Sequence, residues 1–206
     1  LCTAFFASVQ QAGYELTDDV NGYRQEGFAR FDRNVHRGRR LSAAGAYLHP
    51  VMSRPNLDVR TGALVTKVAF DGTRAVGVEY SHWGRPVRRV DAGEVVLCGG
   101  AINTPQLLQL SGVGEPGLLR GLGIPVVAGL PGVGENLQDH LEVYVQHACT
   151  QPVSAQPALK WRNRPWVGAQ WLFARRGPGA TNHFEAGGFL RSNAEVAYPN
   201  LMFHFL

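Results

Sequence analysis

The chain has 206 residues, of which 45% are hydrophobic and 17% charged, and its formal net charge is +4. These proportions exclude a disordered chain and are typical of a globular core of one or two domains. No apolar run reaches the ~18 residues of a membrane-spanning helix, and the spacing of the three cysteines indicates neither a disulfide framework nor a zinc site.

The first fifty residues are predicted to hold two helices separated by a long loop. Apolar residues at helical spacing predict a helix over residues 1–13, which Gly13 ends. Residues 14–38 show no period and are predicted as the loop. Ser42 then caps a second short helix, which Pro50 stops.

The densest basic segment of the chain is residues 36–40, His-Arg-Gly-Arg-Arg. Nucleic-acid binding requires such a segment to join a continuous basic patch with aromatic side chains that stack on bases. The segment is interpreted as a solvated loop, and no nucleic-acid partner is predicted. Weak attraction to an anionic membrane surface stays open.

Residues 57–90 show the alternation of short antiparallel strands. Two alternating runs, 65–70 and 75–80, flank Asp71-Gly72, which is a strong hairpin turn. A further strand is predicted over residues 86–90. This stretch therefore predicts a small antiparallel sheet built on a hairpin.

Residues 94–98 form a continuous apolar run, as expected of a parallel strand that is buried on both faces. The run leads through Gly99, Gly100 and Ala101 into a helix that Asn103 or Thr104 can cap. A strand, a glycine-rich turn and a helix N-terminus in this order form a phosphate-binding geometry. The reason is that free backbone N–H groups and the helix dipole point at one place.

The second half is predicted to begin with a short helix over residues 115–123 and an extended segment over residues 124–134. A domain boundary is predicted near Asp139-His140. Beyond it the pattern predicts a strand, a Trp-rich helix and two more strands, at Val143–Ala148, Trp166–Phe173, Phe184–Leu190 and Leu201–Phe205.

Several segments resemble one known family. Residues 100–114 read GAINTPQLLQLSGVG, which resembles the second signature of the glucose–methanol–choline (GMC) oxidoreductases. Residues 131–140, PGVGENLQDH, and the hairpin region at residues 56–80 resemble further segments of that family. The resemblance covers essentially the whole chain. Residues 179–189, GATNHFEAGGF, are most similar to the bacterial choline-oxidising members.

The resemblance implies a mixed α/β fold in two parts. Residues 1–140 would be the central part of an FAD-binding domain with a parallel sheet and a β-hairpin. Residues 141–206 would be the start of a substrate domain with an antiparallel sheet. The family's N-terminal G-x-G-x-x-G unit and its catalytic His would lie outside the chain. We therefore expect an internal fragment that is inactive alone. A literal G-x-G-x-x-G at residues 112–117 follows a helix rather than a strand and is rejected.

The activity that the resemblance implies is oxidation of a primary alcohol, most specifically choline to betaine aldehyde, with FAD as cofactor. The electron acceptor stays open between oxygen and a quinone, and the location is the cytoplasm or the inner-membrane surface. The predicted cofactor-binding residues are Val65, Gly99, Gly100 and Ala101, and no residue of the chain is predicted to be catalytic. Two alternatives stay open: a different alcohol substrate, and a non-catalytic truncated module.

Glu185 is the predicted substrate-binding residue. The quaternary ammonium of choline cannot donate an N–H hydrogen bond, so it needs a carboxylate or aromatic faces. In choline-oxidising relatives an acidic residue in the matching strand has this role; the alternative for Glu185 is a surface ion pair. His183 and Glu185 also resemble part of a zinc deaminase signature, but Pro-Cys-x-x-Cys is lacking, and no metal is predicted.

Overall fold

A computed structural model describes residues 1–151 and 153–206, which form five α-helices and ten strands. The helices are α1 (Cys2–Gln11), α2 (Gly100–Leu110), α3 (Pro116–Gly121), α4 (Gln156–Leu159) and α5 (Arg164–Ala174). The strands are β1 (Gly27–Arg30), β2 (Val35–His36), β3 (Arg39–Arg40), β4 (Ala63–Asp71), β5 (Arg74–His82), β6 (Arg88–Asp91), β7 (Val113–Gly114), β8 (Ala128–Gly129), β9 (Ala186–Leu190) and β10 (Leu201–Phe205).

Two compact units divide these elements. Unit 1 comprises Leu1–Arg54 with Gln146–Leu206, and unit 2 is Pro55–Val145. Both antiparallel and parallel strand pairs occur, so the mixed α/β class is confirmed. The predicted division at residues 140 and 141 into a cofactor domain and a substrate domain stays a prediction.

The core of unit 1 is a three-stranded antiparallel sheet in the order β1-β9-β10. The central strand, β9, begins with Ala186, which is fully buried, and continues with two glycines. Small residues are needed here because the ring of Phe28 lies over Gly188 and the ring of Phe31 lies over Gly187. Aromatic rings thus fill the space that larger β9 side chains would occupy, and this sheet carries the turn before Ala186.

A short hairpin, β2 with β3, packs on α5 in the same unit. The indole Nε1 of Trp171 donates to the carbonyl of Gly38 at 2.6 Å. The guanidinium of Arg175 lies 4.5 Å from the centre of the Trp171 ring. Trp171 therefore packs structurally between hairpin and helix, and the basic run of residues 36–40 belongs to this hairpin.

The core of unit 2 is the sheet β4-β5-β6, with α2 packed against β4. The side chain of Ser111, only 1% exposed, joins the two elements. Its hydroxyl donates to the carbonyl of Leu107 at 2.6 Å and accepts from the N–H of Val68 at 2.8 Å. The parallel pair β7–β8 follows directly, so the helix, the hairpin and residues 112–129 form one body.

Replacing Ser111 with Ala is expected to lower the free energy of unfolding by about 1–3 kcal/mol, because the buried N–H of Val68 loses its acceptor. Urea unfolding of the complete protein measures this change. Ser8→Ala is the matched control, since the Ser8 hydroxyl also donates to a helix carbonyl but is exposed. The control is expected to stay within about 0.5 kcal/mol of the parent. Equal stability of the two variants would contradict the bridging role of Ser111.

Several predicted elements are confirmed, and their bounds shift by a few residues at most. They are the first helix, the hairpin β4–β5 with its third strand, the short helix α3, the Trp-rich helix α5 and the last two strands. Near Ser42 the chain forms a π-helical turn, Ala44–Leu48, followed by a 3-10 turn. The predicted loop over residues 14–38 is wrong in part, because it contains β1 and β2.

Two predicted strands are wrong. Residues 94–98 and 143–148 pair with no strand in the part of the chain that the structure describes. Val96 and Val143 are 75% and 89% exposed, so neither segment is covered on both faces. An apolar run becomes a strand only where a neighbouring strand satisfies its backbone groups, and the described residues supply none here.

The start of α2 also differs from the prediction. The helix begins at Gly100 with Gly99 as its N-cap, and Pro105 lies inside it. The Thr104 hydroxyl accepts from the N–H of Gly99 at 3.0 Å, so Thr104 closes the turn from within the helix. None of the helices in residues 1–151 and 153–206 has the length and apolar character needed to cross a lipid bilayer.

Candidate functional site

The turn Gly99-Gly100-Ala101 lies exposed at the amino end of α2. Gly100 has a φ of +81°, and a Cβ built on it would meet no atom within 4 Å. The first N–H groups of a helix have no partner inside the helix, and the helix dipole favours negative charge beside them. Thr104 takes the N–H of Gly99, but the turn still combines free space, the N–H groups of the next helix residues and positive potential, which fits an anionic group of a cofactor.

A depression of about 470 Å³ continues from this turn along α2. Helix residues line one side of it, and the segment Gly134–Gln138 lines the other; the helix residues are Ala101, Ile102, Pro105, Gln106 and Gln109. The amide of Gln109 donates to the carbonyl of Val133 at 3.0 Å and so holds the segment against the helix. Residues 134–138 belong to a segment whose sequence resembles a known family, but nothing in their pattern predicts that they line this depression.

Val65, the other predicted cofactor contact, lies in β4 of the same unit. This strand is at the edge of its sheet, and its register against β5 shifts between Val65 and Lys67. An edge strand presents backbone N–H and C=O groups that no neighbouring strand uses. The Val65 side chain is 36% exposed, so this stretch can meet a ligand through its backbone and an apolar surface together.

Glu185 lies in unit 1, in the turn that precedes β9. Its Oε1 forms an ion pair with Arg33 and accepts from the hydroxyl of Thr181 at 2.6 Å. Within residues 1–151 and 153–206, the hydrogen-bond partner of its Oε2 is the thiol of Cys2, 4.0 Å away. The side chain is 34% exposed. The ion pair that the sequence left as an alternative is therefore formed, and it engages one of the two carboxylate oxygens.

The pKa of Glu185 lies below its ordinary value, mainly because the Thr181 hydroxyl donates to the charged carboxylate. The positive charges of Arg33, Arg30 and His183 lower this pKa further, while burial opposes them. Glu185 is therefore a carboxylate at neutral pH. A partly exposed carboxylate that is held in this way can bind a cation, and it cannot act as a proton donor.

The remaining acidic and histidine candidates make local contacts. The backbone N–H of His140 donates to the Asp139 carboxylate at 2.8 Å, which shapes the chain at that point. His183 has a φ of +66°, and its N–H donates to the Thr181 hydroxyl at 3.1 Å. Across residues 1–151 and 153–206, His, Cys, Asp and Glu side chains nowhere gather in threes that could hold a metal ion.

Sequence reasoning missed Arg33, Thr181 and Cys2, the partners of Glu185. Two of them come from the first 33 residues and reach Glu185 only because unit 1 joins both ends of the chain. Thr181 carried a local signal, since a Thr side chain two residues before a left-handed residue is typical of a side-chain-closed turn.

Solved structures share this fold. An FAD-dependent oxidoreductase from Chaetomium thermophilum matches 90% of the chain, and 33% of its own length, with a TM-score of 0.73 at 28% identity. Pyridoxine 4-oxidase from Mesorbium loti matches 92% of the chain, and 33% of its own length, with a TM-score of 0.69 at 27% identity. Both similarities extend over the two units.

Sequence comparison gives more similar relatives. The oxygen-dependent choline dehydrogenase of Staphylococcus haemolyticus is 61% identical over all 206 residues, which are 36% of its own length. That of Staphylococcus saprophyticus is 60% identical over the same residues, 37% of its length. The chain thus spans little more than a third of these relatives. The family model described as GMC oxidoreductase matches residues 1–142. With both units folded as in FAD-dependent oxidoreductases and most of its length matched by this model, the chain belongs to the GMC oxidoreductase family.

Proposed function

We propose that the whole protein of which this chain forms a part is an FAD-dependent choline dehydrogenase, which oxidises choline to betaine aldehyde. The observation that carries the proposal is the identity of 58–61% with oxygen-dependent choline dehydrogenases across all 206 residues. The matched stretch of all 206 residues includes both units and the Glu185 turn. A GMC enzyme with another alcohol substrate is the second candidate, and Glu185 is the residue that separates the two.

Unit 2 would hold the cofactor. The exposed turn Gly99–Ala101 supplies N–H groups and the positive end of a helix dipole for an anionic part of FAD, and Val65 supplies the open edge of β4. When bound, the flavin supplies the acceptor for the hydride that leaves the alcohol carbon. The chain's own contribution is to bind and orient, because its residues include no predicted proton acceptor for the hydroxyl.

Unit 1 would hold the cationic end of the substrate. A quaternary ammonium is attracted by a carboxylate without needing a directed hydrogen bond, and Glu185 offers Oε2 for this purpose. The attraction gains strength if the site excludes water when the alcohol is bound, because charges interact more strongly at low dielectric. Glu185 therefore determines which alcohol binds and leaves the chemistry of oxidation to other groups.

The electron acceptor and the location are also proposals. The relatives from Staphylococcus are called oxygen-dependent, which supports oxygen over a quinone. Attraction to an anionic membrane surface would start from the basic hairpin at residues 36–40. Cosedimentation of the complete protein with phosphatidylglycerol vesicles tests this attraction, and a protein that stays in the supernatant at low salt rejects it.

The experiment that tests the proposed function uses the complete protein, purified with its flavin. The visible spectrum is recorded without oxygen before and after addition of choline, and then after oxygen is admitted. We expect choline to bleach the flavin band, butanol to leave it unchanged, and oxygen to restore it. A flavin band that ignores choline but is bleached by another alcohol favours the second candidate. A folded complete protein without a flavin band rejects both.

A further inference from the structure

The hydroxyl of Thr181 is the centre of a small network around Glu185. A Thr hydroxyl can donate one hydrogen bond and accept two, and here all three are made. The hydroxyl donates to Glu185 Oε1 at 2.6 Å, and it accepts from the N–H of His183 and from Nη1 of Arg33, each at 3.1 Å. Its orientation is therefore fixed, and the bond to the carboxylate is the only one that it donates.

The network binds the two oxygens of Glu185 unequally. Arg33 and Thr181 both form hydrogen bonds to Oε1, and within the described residues neither forms one to Oε2. The thiol of Cys2, 4.0 Å from Oε2, is a weak donor. The carboxylate is thus held by one oxygen and presents the other.

The backbone supports this arrangement. The carbonyl of Glu185 accepts from the N–H of Phe31 at 3.2 Å, so the turn is tied to the segment that carries Arg33. On its other side, β9 begins at Ala186, which is fully buried. The side chain of Glu185 therefore projects from an anchored position between two ordered segments.

We propose that Thr181 and Arg33 are positioning residues for substrate recognition: they hold Oε1 of Glu185 so that Oε2 faces the quaternary ammonium of the substrate. The inference rests on the proposed function, since it assigns the means by which the cation site is built. Arg33 also places a positive charge close to the ammonium. The hydroxyl of Thr181 positions the carboxylate without that opposing effect, so Thr181 is the residue to test.

The test uses Thr181→Val and Thr181→Ser in the complete flavoprotein. Valine keeps the branched shape of threonine without its hydroxyl, and serine keeps the hydroxyl. The substrates are choline and 3,3-dimethylbutan-1-ol, in which a carbon atom replaces the charged nitrogen. We expect Thr181→Val to lower kcat/KM for choline by about tenfold, the loss of one hydrogen bond to a charged group. The neutral alcohol is expected to change by less than about twofold, and Thr181→Ser to behave like the parent to within about twofold.

A binding measurement adds a readout that a merely structural role would not move. The affinity for the tetramethylammonium ion is measured by calorimetry as a function of pH. Because the Thr181 hydroxyl lowers the pKa of Glu185, Thr181→Val raises that pKa towards its ordinary value. Binding is then lost at a higher pH as the solution is acidified. Arg33, Arg30, His183 and Cys2 are the other groups that face Glu185, and Thr181→Val also removes the hydroxyl to which Arg33 and the N–H of His183 donate. Thr181→Ser keeps the hydroxyl and these bonds, so we expect it to lose binding at the same pH as the parent.

The outcomes distinguish the cation site at Glu185 from the positioning role of Thr181. If Glu185→Gln weakens choline and the neutral alcohol equally, the cation site itself is rejected. If Glu185→Gln is selective but Thr181→Val is not, the site stands and the positioning role is overturned. If Thr181→Val loses flavin or activity on both alcohols, Thr181→Ser decides the question. A tenfold loss for choline alone in Thr181→Ser, which keeps the hydroxyl, also overturns the proposal.

Discussion

Glu185→Gln in the complete protein is expected to lower kcat/KM for choline by about a hundredfold, equivalent to about 2.7 kcal/mol. Glutamine keeps the shape of the side chain and removes the charge that attracts the ammonium. For 3,3-dimethylbutan-1-ol, which has no charge to attract, a change of less than about threefold is expected. Steady-state kinetics with both alcohols measure the difference between the two losses. This difference is largest if the ammonium sheds its hydration shell when the substrate binds.

Glu26→Gln is the matched control for this prediction. Glu26 lies in the same unit and also binds an arginine, with its Oε2 3.0 Å from Nε of Arg191. Its side chain is 28% exposed against 34% for Glu185, so both substitutions break a comparable ion pair. We expect the control to treat the two alcohols alike. An equal selective loss in both variants would mean that general charge, and not the position of Glu185, favours choline.

Gly187→Ala is expected to destabilise the protein more than alanine at any other glycine of unit 1. A Cβ at this position would lie 2.0 Å from the carbonyl oxygen of Phe203 and 2.7 Å from the ring of Phe31. The nearer obstacle is backbone of the paired strand β10, which moves only if the sheet separates. Overpacking costs about 1–3 kcal/mol and occasionally more, and this backbone clash is expected at the upper end. A cost of about 3 kcal/mol lowers the midpoint of thermal unfolding of a domain of about 150–250 residues by roughly 6–12 °C.

Gly168→Ala provides the comparison, because Gly168 lies within α5 and a Cβ there would meet no atom within 4 Å. Alanine favours a helix over glycine by about 1 kcal/mol, so this variant should unfold at the same temperature as the parent or slightly above it. Calorimetry of both complete proteins decides the matter. Coinciding midpoints for the two variants would show that the space above β9 is larger than the structure has it.

Local patterns predicted the elements whose partners are near in sequence. The hairpin β4–β5 follows from alternation on both sides of Asp71-Gly72, and the glycine takes the positive φ, +57°, that the turn requires. The helix α5 follows from its apolar spacing. In both, the chemistry that stabilises the element lies within it or within one turn of it.

Patterns failed where the partner is remote. Nothing in Gly27-Phe28-Ala29-Arg30 indicates a strand, because four residues show too little period and the partner, β9, lies near the other end of the chain. The prediction for residues 94–98 was wrong for the opposite reason. Their composition suits a strand, but the described residues contain no partner strand for it. The predicted site behaves likewise: resemblance selected Glu185, but its partners Arg33 and Cys2 are remote and could not be inferred.

The order of strands in the sheet of unit 1 has a consequence for synthesis of the protein. β9 pairs on one side with β1 and on the other with β10, so β1 leaves the ribosome long before its antiparallel partner β9, whereas the short bridge from Leu16 to Phe28 can form early. At about 5–20 residues per second, translation from β1 to β9 takes roughly 8–30 s. During that interval Phe28 and its neighbours lack the strand that completes their sheet. We expect contacts with α1, where Phe5 meets Phe28, or molecular chaperones to keep these aromatic residues from aggregation during that interval.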